Sequence, residues 1–102
     1  MDRSDVITLI KETQTQDAFG VWRPSTTERD VLCQVDSITQ SEFFEAGRNG
    51  LNPEYRFRIF AGDYDGERTV MFHGLRYGVY RTYHDRTDTL ELYVERKGGV
   101  NG

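Results

Sequence analysis

The residue types in this chain that can do chemistry are two histidines, one cysteine and a short acidic run. His73 and His84 stand far from one another and from any cluster of acids or thiols. A metal site draws three or four ligands at defined spacing, so both histidines read as surface side chains. Cys33 alternates with Val31 and Val35, the position of a small buried hydrophobe. No basic neighbour in sequence would lower its thiol pKa. As the single cysteine it allows no intrachain disulfide, which fits a reducing compartment. The run Asp63-Tyr64-Asp65-Gly66-Glu67 has the acids of a calcium loop but lacks its series of oxygen ligands and closing glutamate. It reads as a turn. With no nucleophile–base pair, the chain reads as non-enzymatic, without cofactor or metal.

Binding chemistry has more material. Gly47-Arg48-Asn49-Gly50 has the form of a GXXG nucleic-acid loop, yet Pro53 and a strand pattern follow where that loop needs a second helix. Helix termination is the simpler reading. Arg56, Arg58, Arg76 and Arg81 interleave with Tyr55, Phe57, Tyr77, Tyr80 and Tyr83. Such mixing suits a single-strand binding face and equally suits ordinary sheet surface. Phe43 and Phe44 sit side by side between Glu42 and Glu45, in what should be a polar connection. Burying one such ring is worth about 1.5–3 kcal/mol. Either the pair packs on the body of the domain, or at least one ring faces a partner or a lumen.

The elements that position these residues are mostly strands. Residues 6–10 (VITLI) read as a strand whose inward face is ambiguous. Residues 12–19 are polar and end in Phe19-Gly20, a loop or turn signal. Val21 and Trp22 suit a short strand stopped by Pro24. Residues 28–37 alternate as a longer strand. Thr39 and Glu42 then have capping-box spacing and open a helix of about nine residues, too short to be stable alone. Glu42 and Glu45 fall early and Arg48 late, as the helix dipole prefers, and Gly47 or Gly50 can close it. A meander follows: strands over 54–60 and 67–72, a tight hairpin at His73-Gly74, a strand from Leu75, a polar turn over 85–88, and a last strand with Leu90, Leu92 and Val94 on one face. The fold class is therefore mainly β: a small barrel or sandwich of about six short antiparallel strands, with one short helix in a β–β connection. Residues 1–102 form one domain, residues 39–53 its helical loop and residues 98–102 a flexible tail.

Composition limits the partners. A chain of 102 residues buries roughly 65% of its unfolded surface, enough for one core. Net charge is −4, with nine acids against five bases over residues 1–51 and eight against eight after that. A free-standing DNA-binding module is usually basic, so tight nucleic-acid binding is disfavoured. There is no apolar run near the roughly 18 residues of a membrane span and no basic-then-apolar leader. A cytoplasmic location, or assembly from the cytoplasm, is expected, with no membrane partner.

The order of these parts resembles the head-closure proteins of long-tailed phages, also called head–tail joining, head-completion or stopper proteins. "VITLI" followed by "DAFGVW" is similar to that family's opening strand and loop. "DVLCQVDSITQSEFFEAG" is similar to its long strand running into a short helix, and "YRFRIF", "HGLRYGVYRTY" and "DTLELYVERK" to its closing meander. The resemblance spans about residues 5–97, and the order with its helical insertion carries it. It implies a structural virion protein of the head–tail connector. Such a protein docks beneath the portal or its adaptor, joins other copies of itself in a ring, usually twelve-fold, and offers a surface to a tail-completion protein. Residues 39–53 would then point into the channel and hold packaged double-stranded DNA. Glu42, Phe43, Phe44, Glu45, Arg48 and Asn49 would form the gate: the rings against neighbouring copies, Glu42 and Glu45 repelling phosphate, Arg48 touching it. From a different class, the alternative is a small barrel that binds single-stranded nucleic acid.

Overall fold

The computed structural model describes residues 4–85 and 88–97. Six strands run β1 (Ser4–Gln16), β2 (Trp22–Ser37), β3 (Pro53–Phe60), β4 (Thr69–Phe72), β5 (Leu75–His84) and β6 (Thr89–Arg96), and the helix α1 (Gln40–Gly47) lies between β2 and β3. They pair antiparallel in the order β1-β2-β3-β6-β5-β4, and β4 returns to β1. The sheet thus closes on itself as a barrel, leaving no second sheet to make a sandwich.

Period-two alternation fills the interior. Ile7 and Leu9, Val31, Cys33 and Val35, Phe57 and Ile59, Val70 and Phe72, Tyr77, and Leu90, Leu92 and Val94 form one buried cluster. At its centre Phe57 meets Phe72 edge-on at 5.0 Å, and Tyr55 meets Phe72 at 5.4 Å. The ambiguity of VITLI resolves here: Ile7 and Leu9 face inward, while Val6 is outward and half-exposed. The His73-Gly74 hairpin forms as its sequence predicts. Both residues have positive φ, 50° and 80°, as a two-residue turn matching strand twist requires.

One segment departs from expectation. Residues 12–16 are strand rather than loop, the turn falls at 17–20 as Phe19-Gly20 signals, and Pro24 does not stop a strand. β1 and β2 pair without interruption from Ser4↔Gln34 to Gln16↔Trp22, and beyond the barrel they continue as a two-stranded ribbon. At its tip the Asp17 N–H donates to the Val21 carbonyl at 2.9 Å. Counting back by alternation, Gln14↔Pro24 falls on a non-hydrogen-bonded pair. The missing N–H of Pro24 therefore faces the free edge, where proline blunts strand addition. The Asp17 carboxylate accepts from the Phe19 and Val21 N–H groups, both at 2.9 Å, and pairs with Arg23. The Arg23 bond leads in holding its pKa below the usual carboxylate range. Phe19 and Trp22 remain exposed there.

Closure rests on a narrow seam. β1 and β4 share three pairs, Thr8↔Met71, Leu9↔Val70 and Ile10↔Thr69. Next to it the acidic run Asp63-Tyr64-Asp65-Gly66-Glu67 is gripped from both ribbon strands. Lys11 Nζ reaches Asp65 Oδ2 at 2.7 Å, and Arg29 Nη2 reaches Glu67 Oε2 at 2.9 Å. Glu67 also accepts from the Asp65 N–H at 2.7 Å. Among the described residues no group of three or more His, Cys, Asp or Glu is placed to hold a metal ion. The tail expected over residues 98–102 lies outside the described residues, as does part of the turn over 85–88.

Burial works against the charge on Glu67, but Arg29 and the Asp65 N–H outweigh it and lower its pKa. The stabilisation is therefore complete above the ordinary glutamate value of about 4.3. It is lost as pH falls through the lower folded value. Glu67→Gln should reduce stability at neutral pH by about 1–3 kcal/mol and flatten its decline in acid. Chemical denaturation from pH 7 downward measures both.

Candidate functional site

The helix between β2 and β3 begins and ends by local rules. Thr39 Oγ1 accepts from the Glu42 N–H at 3.2 Å. At the other end the Leu51 N–H reaches the Ala46 carbonyl at 3.1 Å and the Gly50 N–H reaches the Gly47 carbonyl at 3.0 Å. These are the two bonds of a Schellman closure. Gly50, with φ of +78°, is its left-handed residue, so Gly50 rather than Gly47 ends the helix.

The faces of α1 are the reverse of an ordinary amphipathic helix. Of its residues only Ala46 is buried. Phe43 and Phe44 are 52% and 58% exposed, and their rings meet edge-on at 5.9 Å. They do not plug the barrel, whose interior is filled by strand residues. What meets the barrel wall is Glu42. Its carboxylate does not reach back to the cap, as capping-box spacing predicts. It accepts instead from the Tyr80 hydroxyl at 2.8 Å and from Arg81 Nη2.

Two consecutive strand residues ordinarily point to opposite faces. Tyr80 and Arg81 reach the same carboxylate because β5 bulges between them: Val79 pairs with Val94 and Arg81 with Tyr93, leaving Tyr80 as the extra residue. The Arg81 guanidinium lies 4.0 Å over the Tyr93 ring, a cation–π contact that holds its plane. Burial and then the Glu42 bond push the Tyr80 phenol well above its usual pKa.

Glu45 and Arg48 are exposed and 3.9 Å apart, and Asn49 Nδ2 donates to the Glu45 carbonyl at 3.3 Å. The six gate residues therefore divide. Phe43, Phe44, Glu45, Arg48 and Asn49 are presented to solvent, and Glu42 is turned inward with its side chain 15% exposed. Of the two carboxylates expected to repel phosphate, Glu45 is the one that faces outward.

The interleaved arginines and aromatics divide between faces, with Tyr80 and Arg81 together on the outer wall. Tyr55, Phe57 and Tyr77 point inward and stack within the core, so these rings offer no surface to a single strand. Arg56 and Arg58 face outward and share Asp36 and Glu91 at 3.4–4.0 Å. Burial disfavours the charge on Arg56, but Tyr93, Glu91 and Asp36 more than compensate and raise its pKa. Tyr93 is the residue that sequence reasoning missed. Placed on the outward face by its alternation with Leu92 and Val94, it is nonetheless buried, under Arg81 and beside Arg56. Cys33 is buried, and burial pushes its thiol up to about 11, which keeps it protonated and inert. His73 pairs with Asp5 at 2.9 Å and stacks on Phe72.

Comparison with known proteins finds no matching family model and no matching curated protein.

With both rings largely in water, replacing Phe43 and Phe44 together by Ser should cost less than about 2 kcal/mol, below the value of one fully buried ring. Thermal melting of the purified variant measures this. A loss of about 3–5 kcal/mol per ring would instead mark them as core side chains.

Proposed function

We propose that the protein closes the DNA channel of a phage head–tail connector. One observation carries the reading: an ordered helix inserted between two barrel strands presents two adjacent phenylalanines to solvent while a carboxylate anchors it to the wall. A domain of this size gains by burying such rings, and an exposed aromatic pair on a formed helix is what an assembly contact needs. The resemblance of the sequence to head-closure proteins, with a short helix between a long strand and a closing meander, supports the same reading.

In this role the chain is a structural virion protein, not an enzyme. Copies assemble as a ring, usually twelve-fold in that family, beneath the portal or adaptor and above a tail-completion protein. Phe43 and Phe44 meet neighbouring copies around the axis. Glu45 keeps packaged double-stranded DNA from adhering, and Arg48 contacts phosphate when the channel is shut. A ring multiplies each weak contact by the number of copies. The exposed ribbon tip, with Phe19 and Trp22, adds a second apolar surface for docking, and Pro24 guards its edge against uncontrolled pairing.

Heads assembled with the Phe43→Ser, Phe44→Ser double variant should lose DNA before tail attachment, while the variant still folds. Arg48→Glu should loosen retention more at low salt than at high salt, because phosphate repulsion is screened. Nuclease protection of packaged DNA measures both. A folded, ring-forming double variant that retains DNA fully would overturn the reading.

A further inference from the structure

We propose that Tyr80 and Arg81, backed by Tyr93, form an oxyanion site on the barrel wall that Glu42 fills from within, and that a phosphate of the DNA backbone replaces the Glu42 carboxylate when α1 leaves the wall. The choice of DNA as the phosphate source rests on the channel-closure reading. The site itself rests on geometry.

Each oxygen of Glu42 has its own donor, a phenol on one and a guanidinium on the other. Two donors converging from a rigid strand serve a phosphate as well as they serve a carboxylate. The donors do not depend on Glu42 for their position. Tyr80 is set by the bulge in β5, and Arg81 lies on the Tyr93 ring at 4.0 Å. Tyr93 is itself held by its hydroxyl, which donates to Glu91 at 2.8 Å.

The carboxylates on this face differ in how firmly they are fixed. Asp36 and Glu91, which neutralise Arg56 and Arg58, belong to β2 and β6 and stay with the barrel. Among the described residues Arg81 has one ion-pair partner, Glu42, and that partner rides on an eight-residue helix. A helix so short has little stability of its own. Loss of Glu42 therefore frees one cation of the row while leaving its neighbours paired. Access is open: Arg81 is 46% exposed, and a groove of about 290 Å³ beside it is lined by Thr39, Ser41, Glu45 and Tyr93. Glu45 is the opposing charge at this groove, and it moves away with the helix.

Helix docking and phosphate binding thus exclude one another at a single site. Contact with DNA favours the released helix, and the released helix carries Phe43 and Phe44 with it.

The test uses the full chain and a short fluorescent DNA duplex, with inorganic phosphate as competitor. Glu42→Ala should bind the duplex roughly tenfold more tightly than the parent, the order of one charge-assisted hydrogen bond. Its plot of log affinity against log salt should steepen by about one. Adding Arg81→Ala should cancel both changes. Glu28→Ala removes an equal charge from β2, away from the site, and should stay near the parent. Phosphate competition with Glu42→Ala alone marks a phosphate site rather than a contact with bases. Amide exchange should quicken over residues 40–49 in Glu42→Ala while β5 and β6 stay protected. Unchanged affinity in Glu42→Ala, tightening that survives Arg81→Ala, an equal gain in Glu28→Ala, or unchanged exchange in the helix would each overturn the proposal. Heads that leak no DNA would overturn channel closure and leave the wall site standing.

Discussion

Closure of the barrel depends on three residue pairs. Strands β1 and β4 lie far apart in sequence and meet only at Thr8↔Met71, Leu9↔Val70 and Ile10↔Thr69. Every other neighbouring pair of strands shares a longer ladder. Such a seam is weak in backbone bonds, and its flanks compensate. Leu9 and Val70 are fully buried behind it. Arg29 and Lys11 clamp the connection that precedes β4. The Arg29–Glu67 bond matters more than the Lys11–Asp65 bond because Glu67 is almost wholly withdrawn from water, whereas Asp65 is largely exposed and an exposed pair contributes little. The same clamp fixes the root of the ribbon, so the projecting hairpin and the closed barrel share one mechanical support.

The helix is attached by opposite means. Strands here are held by apolar burial, while α1 buries one alanine and is held by a carboxylate between a tyrosine and an arginine. Apolar packing on this wall is already taken by Tyr93 and Arg81 lying on each other. A polar latch in a partly wet groove is directional and separable. It orders the helix without requiring the phenylalanines to turn inward. That division of labour is what leaves an aromatic pair available on an otherwise charged surface. It also distinguishes two apolar surfaces: the ribbon tip is set by the ladder beneath it, the Phe43–Phe44 pair by the Glu42 contact.

The residue pattern by itself determined the class of fold and most of its inner face. Alternation at Val31, Cys33 and Val35 and at Leu90, Leu92 and Val94 is local, and each of these residues is buried. The Thr39 cap, the glycine that ends the helix and the His73-Gly74 turn are equally local, since each depends on backbone conformations that few residue types adopt. The position of the aromatic pair on an inserted helix was legible for the same reason.

Tertiary structure alone decided the rest. Pairing across the ribbon overrode a polar stretch and a proline, because each ribbon strand supplies the other's backbone partners and Pro24 sits where none is needed. The inward turn of Glu42 has no sequence signal: capping-box spacing points to its own backbone, while the acceptor's true donors come from a bulge thirty-eight residues away. The burial of Tyr93 arises in the same manner, from an arginine brought across by strand pairing. Barrel rather than sandwich was settled by whether the first strand meets the fourth, a contact between distant segments that local alternation does not encode.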